Sequence, residues 1–154
     1  MPHREQRLVS VLDDGAIATG APELVPLDRL ESNRSQLLAS IRNLRASGGK
    51  ELFQAIAESV EDASGFDGDN RIRAVVLLSD GADTGSREFT LADATRAITA
   101  TREDVNPVIV IPVAYGRDAD INALNSIARA SATRVSSGDA SNILSVLDII
   151  SSYF

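Results

Sequence analysis

Short, continuous apolar runs alternate along this chain with stretches in which apolar residues recur every three or four positions. The first run is Leu8-Val9-Ser10-Val11-Leu12, closed by the turn-forming Asp13-Asp14-Gly15. Residues 23–27 predict a second strand, and Pro22 and Pro26 push it to a sheet edge because proline has no N–H for an interior ladder. Asn33 is placed to cap a helix that buries Leu37, Leu38, Ile41 and Leu44, and Gly48-Gly49 ends it. A further helix carries Leu52, Phe53, Ile56 and Val60 on one face, and Phe66-Asp67-Gly68-Asp69-Asn70 is a polar turn.

Ala74-Val75-Val76-Leu77-Leu78 is apolar at every position and runs into Ser79-Asp80-Gly81. The lack of alternation predicts a strand covered on both faces, as at the centre of a parallel sheet. A helix over 90–101 buries Leu91, Ala94 and Ile98, and residues 108–114 form another buried strand that ends at Tyr115-Gly116. Asp118 or Asp120 caps the next helix, which buries Ile121, Leu124, Ile127 and Ala128. A weak strand over 133–136 precedes Asp139, and the last helix carries Ile143, Leu144, Leu147 and Ile150. This alternation predicts an α/β fold in three layers, a mostly parallel, Rossmann-like sheet with helices on both faces. Ligands meet such sheets at the carboxyl ends of the strands, which singles out Asp13-Asp14 and residues 79–85 and 115–120.

The 154 residues fit one domain, expected over 8–154 behind a poorly ordered tail at 1–7. The absence of cysteine excludes disulfides, thiolate metal sites and thiol nucleophiles. A net charge of −7 with scattered basic residues argues against a nucleic-acid partner. No apolar run approaches the roughly 20 residues of a membrane span. The opening Met1-Pro2-His3-Arg4-Glu5 has no apolar core behind it, so no signal peptide is expected in this chain.

Candidate chemistry narrows quickly. His3 is the sole histidine, and no Gly-x-Ser-x-Gly elbow exists, so a serine triad is not expected. Gly49-Lys50 lacks the earlier glycine and the following hydroxyl of a phosphate loop. Asp67-Gly68-Asp69-Asn70 lacks the later ligands of a calcium loop. Asp83-Thr84-Gly85-Ser86 spells the aspartic-protease signature, whose chemistry pairs two carboxylates across a dimer. That fold is all-β, whereas helical patterns dominate here; the protease remains as an alternative of another class.

The order of motifs resembles a von Willebrand factor type A (vWA) domain entered one strand late. Leu8-Val9-Ser10-Val11-Leu12-Asp13-Asp14 is similar to the family's second strand. Gly48-Gly49-Lys50-Glu51-Leu52 stands where the family has Gly-Gly-Thr-x-Leu. Val76-Leu77-Leu78-Ser79-Asp80-Gly81 resembles its fourth strand and third metal loop, and Ile111-Pro112-Val113-Ala114-Tyr115-Gly116 its fifth strand. Bacterial chains that carry a vWA domain behind a solute-binding-like region are the most similar in flavour. The resemblance implies a non-catalytic protein-binding module in an extracytoplasmic setting. Its contact face is expected at Asp13, Asp14, Gly49, Lys50, Ser79, Gly81, Asp83 and Thr84, with the loop from Gly116 to Asp120 beside them. In the family a hard cation, Mg2+ or Mn2+, sits in a metal-ion-dependent adhesion site and receives a carboxylate from the partner protein.

Two departures bear on that site. No Asp-x-Ser-x-Ser occurs in the chain, and Lys50 takes the threonine's place. An ammonium has no lone pair to give, and at about 4 Å from a dication, with an effective dielectric near 20, it is repelled by up to about 8 kcal/mol. Of the expected ligands only Asp80 remains, so no cofactor is expected in this chain, and Lys50 is expected to pair with Asp80 in the cation's stead. The missing first strand belongs in the middle of the family's sheet. Each buried unpaired backbone group costs about 1–3 kcal/mol, so the gap must be filled. A lost upstream segment, as in a fragment of a longer protein, is the first expectation. Direct pairing of the flanking strands, strand donation or a homodimer at that edge are the others.

Overall fold

In the computed structural model the described residues are Val25, 30–43, 51–65 and 72–152. They form α1 (Leu30–Asn43), α2 (Leu52–Ser64), β1 (Arg73–Ser79), α3 (Leu91–Ala100), β2 (Val108–Tyr115), α4 (Ile121–Ala130), β3 (Ser136–Gly138) and α5 (Ile143–Ser151). The three strands make a parallel sheet in the order β1-β2-β3, with Val76 level with Ile111 and Leu78 level with Val113. The expected α/β class, with its parallel sheet between helices, is what the chain adopts.

Alternation along β2 sorts its side chains onto two faces. Val108, Val110 and Ala114 join Leu52, Ile56 and Val60 of α2, Ala94 and Ile98 of α3, and Leu124 and Ile127 of α4 in the main core. Ile111 and Val113 pack instead with Ile150 of α5, flanked by Ile143 and Val146. Helices therefore cover both faces of β2. A threonine ties the layers together: Thr101 Oγ1 accepts from Val108 N at 3.1 Å and donates to Ile98 O at 3.0 Å, joining the end of α3 to the start of β2.

Several expectations need correction. β1 is the outermost strand of the described sheet, and its second face is open, with Val76 41% and Leu78 50% exposed. Continuous apolar composition records what a strand can bury and does not by itself supply the cover. α1 begins at Leu30, so Asn33 lies inside it, and of its stripe Leu37 is buried while Leu38 and Ile41 are exposed. Ile121 and Leu144 are likewise exposed, each lying to one side of its helix's buried stripe.

The third strand starts at Ser136, later than the 133–136 expected. On that side of β2, Val110 N donates to Ser131 Oγ at 2.6 Å and Val110 O accepts from Thr133 Oγ1 at 2.7 Å. Two residues on, Pro112 has no N–H to offer. Side chains thus serve β2 first, and the ladder opens only at Val113 and Ser136. The strands read over 8–12 and 23–27 lie outside the described residues, apart from Val25, which is fully buried. The tail at 1–7 and the turn at 66–70 lie outside them as well.

Candidate functional site

The carboxyl ends of β1 and β2 carry the candidate rim. At the end of β1 the buried Ser79 turns its hydroxyl onto Gly81 O at 3.1 Å, which closes a tight turn and leaves Asp80 exposed above a buried Gly81. Thr84 is exposed and Asp83 is half-buried.

Asp83 does specific structural work. Its Oδ1 accepts from Phe53 N at 3.0 Å and from the Ser86 hydroxyl, and its Oδ2 accepts from Ser86 N at 3.2 Å. Ser86 Oγ in turn accepts from Gln54 N at 3.2 Å. Phe53 and Gln54 belong to the first turn of α2, whose N–H groups have no partner within the helix. The residue in the capping position, Glu51, makes no side-chain capping bond. The loop after β1 therefore supplies the cap from a distance, and its carboxylate also suits the positive end of the helix dipole. Among the described side chains, Glu51 Oε2 is buried without a hydrogen-bond partner.

At the end of β2 the chain turns through Gly116, whose φ of 76° suits glycine, and Gly116 N donates to Gly138 O at 2.9 Å. Arg117 and Asp118 are exposed. Asp120, one of the two caps considered, is the cap used: its Oδ1 accepts from Ala123 N at 3.0 Å.

The structure thus brings Ser79, Asp80, Gly81, Asp83 and Thr84 onto one loop, beside the start of α2. Asp13, Asp14, Gly49 and Lys50 lie outside the described residues, and with them the expected pairing of Lys50 with Asp80. Ser86 supports this loop without being among the residues that the sequence singles out. Its one signal is the spacing Asp83-x-x-Ser86, which allows a side-chain bond back to the aspartate.

Among the described residues no group of three or more His, Asp or Glu side chains could hold a metal ion. Asp83 already accepts from Phe53 N, Ser86 N and the Ser86 hydroxyl. The described fold is α/β, unlike the all-β fold in which the Asp83-Thr84-Gly85 signature serves a protease. No described helix is long and apolar enough to cross a membrane.

No curated protein matches the chain. Among solved structures it is similar to a von Willebrand factor type A protein from Catenulispora acidiphila, at 24% identity over 77% of this chain and 27% of that one, with a TM-score of 0.62. It is also similar to proximal thread matrix protein 1 from the mussel byssus, at 17% identity over 85% of this chain and 33% of that one, with a TM-score of 0.63. One structure of the byssal protein, at the same identity and TM-score, has a zinc-occupied MIDAS motif. The chain spans 27% to 33% of these proteins' length, and at such identities they establish the fold. A family model described as the von Willebrand factor type A domain matches residues 17–148. With most of the chain inside that match, this protein belongs to the von Willebrand factor type A domain family.

Proposed function

We propose that residues 8–154 are a non-catalytic protein-binding domain whose contact rim has given up the family's metal chemistry. The observation that carries this reading is the division of labour after β1. Asp83 caps α2, while Asp80 stands exposed at the end of β1. Lys50 in place of the family's threonine completes the picture, because a lysine at that position occupies the space of a cation and neutralises Asp80 without one. The partner is then a protein held by shape and hydrogen bonds across Asp13, Asp14, Gly49, Lys50 and the exposed Thr84, with the buried Ser79 and Gly81 shaping the turn beneath them. Similarity to a thread matrix protein of the mussel byssus supports an extracytoplasmic setting.

Titration of the chain with Mg2+ or Mn2+ in a calorimeter, with thermal unfolding alongside, tests the reading. The expected result is no saturable heat and no shift in Tm. Micromolar binding that Asp80→Ala abolishes would instead establish a working metal-dependent adhesion domain. The zinc-occupied relative supports that second reading, in which Asp80 contributes to a site completed by a strand supplied from elsewhere.

A further inference from the structure

The second face of the sheet is covered by a helix at β2 and bare at β1. Ile111 and Val113 lie beneath α5, whereas Ile72, Ala74, Val76 and Leu78 follow one another along the open face of β1. Alternation sends Arg73 to the other face, where its guanidinium donates to Asn106 O at 3.1 Å. Ile143 and Val146 of α5 lie against Gly138 of β3, so Leu144 and Leu147 form the opposite flank of the helix, on the β1 side, and both are exposed. Floor and flank make an apolar trough at the height of the helix layer. It runs for about 20 Å, at about 3.3 Å per strand residue. The charges beside it are acidic. Asp148 stands one turn beyond Leu144, Asp80 stands at the end of the floor, and residues 139–152 contain no lysine or arginine.

α1 has the length and the chemistry of an occupant. Its 14 residues span about 21 Å at a rise of about 1.5 Å each. Leu38 and Ile41 are exposed on one side of it, with Arg34 one turn before Leu38 and Arg42 one turn after, both exposed. In its own chain α1 leaves the trough open, since the apolar side chains of both are exposed. We infer that α1 of a second copy fills the trough, and that the exchange is reciprocal, which closes a two-fold dimer. With the incoming α1 parallel to α5, Leu38 and Ile41 rest on Leu78 and Val76 and against Leu144 and Leu147. Arg42, beside Leu38, then meets Asp148, beside Leu144, and Arg34 extends its charge past the end of the trough toward Asp80. The second copy's α5 could not take this place. Its apolar side is occupied by Ile111 and Val113, and its free side would bring Ser145 and Asp148 onto Val76 and Leu78. The contact lies on the face of the sheet, below the rim, and stands or falls independently of the proposed function.

Sedimentation equilibrium of the full chain over a range of concentrations tests the exchange. A reversible equilibrium between monomer and dimer is expected. Leu38→Asp and Leu144→Asp should each weaken the pair roughly tenfold or more, since each places an unpaired charge in the contact. Arg42→Asp and Asp148→Arg should each weaken it as well, and the two combined should restore it, a reversal that general apolar stickiness does not produce. All four positions are exposed, so the fold should persist, and circular dichroism of each variant checks that it does. A chain that stays monomeric at every concentration would leave the trough to a foreign partner and overturn the proposal. A dimer indifferent to the apolar variants, a double charge variant no tighter than either single one, or growth beyond two copies would overturn it equally. Should either apolar variant fail to fold, the Arg42 and Asp148 series decides by itself.

Discussion

Asp83 fastens the first turn of α2 to a loop thirty residues further along the chain. Replacing it with alanine removes an acceptor from Phe53 N and from both donors of Ser86, and a lost helix cap costs about 1–2 kcal/mol. Urea unfolding should show that loss for Asp83→Ala, and a smaller one for Asp83→Asn, which keeps an oxygen facing Phe53. Sequence spacing points to Asp83 as a carboxylate at a strand end. It says nothing of a partner so far upstream, because hydrogen-bond geometry across the fold leaves no periodic trace. Asp93 is a local counterpart that the chain does advertise, as Thr90-x-x-Asp93 at the start of a helix. The Thr90 hydroxyl and backbone N–H, with the Arg96 guanidinium nearby, hold its carboxyl below the usual range. The folded form therefore binds this proton less tightly than the unfolded chain does. The stabilisation is complete above the unfolded value of about 4 and is lost as pH falls through the lower folded value. The stability difference between the native chain and Asp93→Asn should accordingly be largest at neutral pH and shrink as urea midpoints are followed below about pH 4.

At the scale of the element, the end of α4 carries an unspent gain in stability. Thr133 N donates to Ala128 O at 2.8 Å and Ala132 N to Arg129 O at 3.2 Å, the paired bonds of a Schellman turn, and Ala132 sits at φ 55°. An alanine there bears a steric strain that glycine escapes. Ala132→Gly should raise stability by about 0.5–1 kcal/mol, seen as a higher Tm, because relief of that strain exceeds glycine's entropy cost. Ser131→Ala should act oppositely, by about 1–3 kcal/mol, since it strips Val110 N of its acceptor. The helices were legible because their buried residues recur every three or four positions, and capping at Thr90 and Asp120 marks two starts. The stripe of α1 is helical in spacing, yet only Leu37 of it is buried, and Leu38 and Ile41 are exposed. β3 was displaced because its register answers to Pro112, Ser131 and Thr133, residues on three separate segments that no window along the chain compares.

For the molecule as a whole, the order of motifs disclosed both the fold and the family, since a parallel sheet imposes the same apolar punctuation on every member. The rim was legible only in part. Its position at the strand ends follows from topology, but which carboxylate faces outward depends on Asp83 being drawn under α2. The composition of β1 predicts cover on both faces, and Val76 and Leu78 are nonetheless exposed on one of them. Leu78→Thr should therefore cost little stability and spare the core around Leu124, which amide hydrogen exchange can read.

The opposite margin of the sheet has a different character. β3 is three residues long, offering almost nothing for another strand to grip. Only one margin of the described sheet is thus adhesive. If molecules associate through the margins of this sheet, they should join in twos and stop there, because the blunt margin cannot propagate a fibre. Sedimentation of the chain should then find a closed pair as the terminal species, with no continuous growth as concentration rises.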